Sequence, residues 1–249
     1  MDTEELKRVV AAAGFIFRGS IHGERKLESP PLPKDAGEVV AARIEEVIRS
    51  TPVLRGLAGR EALVVTKHSA TLRQLRNPIL FTECLSLGEV LLLREIGHVE
   101  SSHEVSRQVA ETIREVAELP LRARVAAADL IVEAEVVDSR PLERPFPPRS
   151  EHDPAWSIAR VTVTAVLKGR KPKAEIEVLF ASSDDIVWFR SPKLRDGASG
   201  ILLLIHLKED EIPKHVPRSA YQATDPLDFL PIDRRGEIER LVERDRGGR

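Results

Sequence analysis

One eight-residue stretch occurs twice in the chain. Val10-Ala11-Ala12-Ala13-Gly14-Phe15-Ile16-Phe17 returns as Val125-Ala126-Ala127-Ala128-Asp129-Leu130-Ile131-Val132, with five of the eight positions identical and two of the others still apolar. The likeness continues in order. Ile21 answers Val136, and each copy then enters a proline-rich interruption: Pro30, Pro31 and Pro33 in the first, Pro141, Pro145, Pro147, Pro148 and Pro154 in the second. Glu46-Val47-Ile48-Arg49 answers Ala165-Val166-Leu167-Lys168, and the segment 62–66 answers 175–180. Val90-Leu91-Leu92-Leu93 is matched to Ile201-Leu202-Leu203-Leu204. A single alanine run arises easily by accident; the same features in the same order point to an internal duplication. The 249 residues therefore divide into two similar units of ordinary domain size.

Period and punctuation give the elements. Leu6, Val9, Val10 and Ala13 recur at helical spacing behind Asp2 and Glu5, a capping-box arrangement. Residues 160–166, Arg-Val-Thr-Val-Thr-Ala-Val, have the β-branched, period-two character of a half-buried strand. Residues 176–180 continue it after the turn at Gly169 to Pro172. Between the copies, Ser101 and Glu104 predict a helix cap, Val105, Val109, Ile113 and Val116 form an apolar stripe, and Pro120 is expected to end the helix. Ile238, Leu241 and Val242 predict a last helix. Each copy thus reads as a helix followed by about five short strands, which points to a small barrel.

The second copy carries Ala128-Asp129-Leu130-Ile131-Val132 and, later, Val166-Leu167-Lys168-Gly169. These runs resemble a loosely defined, uncharacterised group of bacterial domains with an OB-like barrel. In that group Ala-Asp-apolar-Val-x-Gly-x-Val opens the first strand and Val-Leu-Lys-Gly closes a later one. The second copy departs at Ala134, where the group has glycine; the first has Gly19 there but Gly14 in place of the aspartate and Arg49-Ser50 in place of Lys-Gly. The resemblance implies a mainly β chain with flanking helices: two tandem OB-like five-stranded barrels joined by a helix. The expected boundaries are 1–99, a connecting helix at 100–120, and 121–249 with a C-terminal helical extension.

Composition excludes some functions. With 42% hydrophobic residues the chain is no disordered tail, and its longest apolar runs are far below the ~20 residues a membrane helix needs. The acidic start at Asp2, Glu4 and Glu5 lacks the basic opening of a secretory signal, so a cytoplasmic location is expected, with no membrane partner. The only cysteine, Cys84, lies in an apolar neighbourhood and reads as a buried, inert thiol. Phosphate-binding loops, dinucleotide fingerprints, zincin helices and nucleophile elbows are all missing, so no enzyme and no cofactor are expected. The best ligand-like spacing, Glu95-x-x-His98-x-Glu100-x-x-His103, spans a strand end and a helix start. Its side chains are not expected to converge, and no metal is expected.

Two partner classes remain. From Arg49 to Arg76 there are six basic residues and one acid, so Arg55, Arg60 and Arg73 are candidate contacts to single-stranded nucleic acid, a common ligand of OB barrels. Against this, aromatics are 4% of the chain, and the two halves split after Val125 are nearly neutral, with 18 basic against 18 acidic residues and 20 against 22. The proline-rich loops hold eight of the 17 prolines and fall between the first and second strands of each copy, where OB barrels make contacts. Pro145, Phe146 and Trp156 are therefore the candidate partner-binding residues, tryptophan being enriched at interface hot spots. Trp188 and Phe189 are candidate stacking rings, but an apolar run such as Ile186-Val187-Trp188-Phe189 is more often core. The expectation is a non-enzymatic protein-interaction or scaffold module in a larger assembly, with single-stranded nucleic-acid binding as the alternative.

Overall fold

A computed structural model describes residues 1–24, 37–88, 90–143, 150–207 and 216–247. The chain divides into two compact units, Met1–Glu118 and Leu119–Arg249, each built mainly of β-strands. The first opens with α1 (Thr3–Ala12), whose Asp2 side chain accepts the Glu5 N–H at 2.8 Å. It continues through β1 (Phe15–Glu24), β2 (Glu38–Arg49), β3 (Glu61–Thr66), α2 (Ser69–Gln74), β4 (Ile79–Leu87) and β5 (Leu91–Val99) into α3 (His103–Ala127). The five strands close a barrel in the order β1-β2-β3-β5-β4, with β3–β5 parallel and the remaining pairs antiparallel.

Strand alternation sorts the side chains. Phe15, Phe17, Val40, Ala42, Ile44, Val64, Leu80 and Leu93 fill the interior. Their sequence neighbours Ile16, Ile79 and Phe81 point outward and are covered by Leu6, Val9 and Val10 of α1 and by Val109 of α3. Each such side chain is worth about 1.5–3 kcal/mol on burial, so one-residue register slips are heavily penalised.

The second unit contains β6 (Leu130–Pro141), β7 (Trp156–Lys168), β8 (Glu175–Ala181), β9 (Ser199–His206), β10 (Tyr221–Ala223), β11 (Phe229–Leu230) and α4 (Arg235–Gly247). Its sheet runs β10-β8-β7-β6-β9-β11, and the short β10 also pairs with β9. The registers repeat those of the first unit pair for pair. Ile16 faces Arg49 as Ile131 faces Lys168, and Ile21 faces Ala42 as Val136 faces Val161. Irregularities fall after Ile16, Arg18 and Ile21 in β1 and after Ile131, Glu133 and Val136 in β6. Phe15 faces Thr82 as Leu130 faces Leu204, and Val64 lies parallel to Leu93 as Val178 lies parallel to Tyr221. The packing follows: Ile131, Ile201 and Leu203 point outward and are covered by Leu121 and Val125 of α3 and by Ile238, Leu241 and Val242 of α4.

A further likeness is polar. Arg49 Nη1 donates to the Val10 carbonyl at 2.9 Å, and Lys168 Nζ donates to the Val125 and Ala126 carbonyls at 2.7 and 2.9 Å. In each unit a cation at the end of the second strand satisfies the exposed carbonyl end of the preceding helix.

Three expectations are corrected. Pro120 does not end α3, which continues to Ala127. The proline removes one backbone donor on an exposed face, and burial of Leu121 and Val125 offsets that loss. The run at 201–204 matches β4, not the residues 90–93, because β9 pairs with β6 as β4 pairs with β1. Cys84 is exposed rather than buried, although what burial it has pushes its thiol above 9.0.

Candidate functional site

Two groups of side chains stand out, one in each unit. In the second, β8 leads into a turn at 184–191 held by several bonds. The Asp185 carboxylate accepts the Val187 N–H at 2.8 Å and lies 3.2 Å from His152 Nδ1. The Val187 and His152 bonds to Asp185 hold its carboxyl below 3.8. Lys193 Nζ donates to the carbonyls of Ala181, Ser183 and Trp188 at 3.1, 2.6 and 3.1 Å. Trp188 Nε1 donates to the His152 carbonyl at 2.8 Å, and its ring lies 6.1 Å from that of Trp156, at 55°.

With the backbone and Trp188 so fixed, Ile186, Val187 and Phe189 are left 77%, 58% and 54% exposed. The Arg190 guanidinium lies 5.4 Å from the Phe189 ring. The expectation that 186–189 is core is thus overturned: an apolar run gives the same sequence signal in a core and on an apolar surface. Trp156, expected as an anchor, is half-buried on Ile158 and Leu179 beside this surface. Pro145 and Phe146 lie outside the described residues.

In the first unit the basic candidates are exposed. Arg55 and Arg60 lie in the β2–β3 connection, and Arg73 pairs with Glu24. The first unit's described phenylalanines, Phe15, Phe17 and Phe81, are wholly buried, so none of them is open to stack a base.

The first unit also gathers His68, Glu95 and His98, whose ligand-type atoms all lie within 4.8 Å of one another. Glu95 and His98 come from β5, and His68 from the turn before α2. Glu95, with its side chain only 2% exposed, has Oε1 2.6 Å from His98 Nδ1 and Oε2 3.3 Å from His68 Nδ1. Thr66 Oγ1 donates to Glu95 Oε2 and accepts the His68 backbone N–H at 2.8 Å. Burial alone pushes this carboxyl up; the bonds from His98, Thr66 and His68 and the His98 charge outweigh it and hold the group below its ordinary 4.5.

Sequence spacing had singled out Glu95, His98, Glu100 and His103. The group that forms includes His68 and neither Glu100 nor His103. The signal that finds His68 is the parallel β3–β5 ladder, in which Val65 faces Arg94, so the residues next along each strand, Thr66 and Glu95, are neighbours.

No protein-family model matches the chain, and no curated protein matches it either.

Proposed function

We propose that the chain is a tandem pair of OB-like five-stranded rings acting as a non-catalytic protein-interaction module. The matching registers and matching helix-end cations support the duplicated-ring reading, because fold alone does not demand the same three strand irregularities twice. In this reading β10 closes the second ring through its pairs with both β8 and β9. The first half of α3 and α4 are then the closing helices of their units.

One observation carries the functional reading: Ile186, Val187 and Phe189 are exposed together on a turn pinned by Lys193, Asp185 and Trp188. Monomeric surfaces rarely keep adjoining large apolar side chains without a use, and a pre-ordered turn loses little entropy on docking. The fitting partner is a protein segment that buries Phe189 and Ile186 and presents a carboxylate to Arg190, inside a larger assembly.

The test begins with proteins co-purifying from the source cells with wild-type chain and with the Ile186→Ser/Phe189→Ser double variant. The recovered partner is then purified and titrated against both. Direct binding by wild type, weakened at least about tenfold in the double variant, supports the reading. Equal binding by both contradicts it. A parallel titration with labelled single strands at low and physiological salt addresses the alternative. Tight binding that falls steeply with salt, and is lost on reversing the charge of Arg55, Arg60 and Arg73, makes nucleic acid the ligand instead.

A further inference from the structure

The structure assigns a binding site for a divalent transition metal of the zinc class to His68, Glu95 and His98. Residue type is the first argument. Two imidazoles with one carboxylate suit borderline ions such as Zn2+, whereas Mg2+ and Ca2+ take oxygen ligands. Three protein ligands leave a fourth position for water or a donor from a bound molecule.

Geometry is the second. Ligands about 2.0–2.2 Å from a tetrahedral ion stand roughly 3.3 Å apart. The His68 Nδ1–Glu95 Oε2 separation is already 3.3 Å. The three ligand atoms already lie within 4.8 Å of one another. His98 Nδ1 now bonds the other carboxylate oxygen, Oε1, at 2.6 Å, so its ring turns from Oε1 toward an ion held by His68 and Oε2. Its ring has room to do so, because His98 lines a cleft of about 410 Å³ with Leu6, Leu75, Val105 and Val109. That cleft, together with the 60% exposed His68 side chain, gives an ion a way in.

The fold itself does not need these groups. In the second unit the pairing of Phe180 with Ala223 places them where Thr66 and Glu95 stand in the first, and Ser182 takes the place of His68. One sheet therefore keeps its register with a methyl group where the other buries a carboxylate, a costly group to bury for packing alone. Thr66 completes the arrangement as a positioning residue. Its hydroxyl fixes Glu95 Oε2 while accepting the backbone N–H of His68, the kind of outer support that metal ligands receive.

The test uses the full chain, stripped with chelator and titrated with Zn2+ by calorimetry and with Co2+ by visible absorption. The expected result is one equivalent bound, with the intense d–d bands of low-coordinate Co2+. His68→Ala, His98→Ala and Glu95→Gln each weaken binding by at least about a hundredfold, more than loss of an outer-sphere partner does. The Glu100→Gln/His103→Ala variant, which alters the ligands that spacing alone suggested, binds as wild type. His68 is exposed, so its alanine variant keeps the inference testable if Glu95→Gln does not fold. Absence of stoichiometric binding to wild type, or undiminished binding by folded His68→Ala, overturns it. The Ile186→Ser/Phe189→Ser variant retains the metal, so this inference and the interaction reading fail separately.

Discussion

Replacing Lys168 by methionine removes the cation at the end of α3 while keeping an unbranched apolar stem. Nζ lies 2.7 Å from the Val125 carbonyl, 2.9 Å from that of Ala126 and 3.3 Å from Asp245 Oδ2, on a side chain 16% exposed. A hydrogen bond to a charged group contributes about 1.5–3 kcal/mol, but these two bonds do not simply add. Ala126 is exposed and its carbonyl regains water, while Val125 is buried and regains less. The expected loss is about 2–3 kcal/mol, most of it from the Val125 bond. Both tryptophans, Trp156 and Trp188, lie in the second unit, so tryptophan fluorescence during urea unfolding reads the affected unit directly. The midpoint falls with the slope unchanged. Arg49→Met removes a single bond at 2.9 Å, so by backbone hydrogen exchange it costs the first unit less, about 1–2 kcal/mol. Lys168→Arg restores most of the loss. A Lys168→Met midpoint within about 0.5 kcal/mol of wild type, the range of neutral surface changes, would refute the reasoning.

Gly169→Ala puts a Cβ 2.5 Å from the Asp129 carbonyl oxygen at φ +94°, so a loss of about 1–3 kcal/mol is expected in the same fluorescence assay. A neutral result means the β7–β8 turn is not as described. Asp228, wholly buried, pairs with Arg124 and accepts the Thr224 and Asp225 N–H groups at 2.7 and 2.8 Å. Asp228→Ala strands the guanidinium and is expected to cost about 3–5 kcal/mol by urea unfolding, a value below 1 counting against the pair. In metal-free protein Glu95, its folded value lying below 4.5, contributes stability that is fully present above 4.5 and lost as pH falls through the folded value. Glu95→Gln therefore flattens the acid limb of the stability curve, and parallel limbs for the two proteins would contradict the assigned hydrogen bonds.

The first three strands of each unit were legible because their signals are redundant. Alternation and the shared alanine run marked the strands, and the aligned segments 46–49 and 165–168 do end the second strand of each unit, where Arg49 faces Ile16 as Lys168 faces Ile131. The later strands were not. A run such as 201–204 is buried on both faces, so its sequence carries no record of which neighbour it pairs with. The end of α3 was misread because proline opposes a helix locally, whereas Leu121 and Val125 favour it through contacts made far along the chain. The same limit hid both site groups. What exposes Phe189 is the bonding of Asp185 and Lys193 to the backbone around it. What brings His68 to Glu95 is the parallel pairing of β3 with β5.

The most direct test of the duplicated-ring account is an isotope-edited NMR measurement of backbone contacts at Tyr221 and Gln222. Closure of the second ring predicts contacts from Tyr221 to Val178 in parallel register and to His206 in antiparallel register, with Gln222 reaching both Leu179 and Ile205. The first unit supplies the reference, in which Leu93 lies against Val64 on one side and Cys84 on the other. Contacts to β9 alone, or to neither strand, would leave the second sheet open and contradict the account.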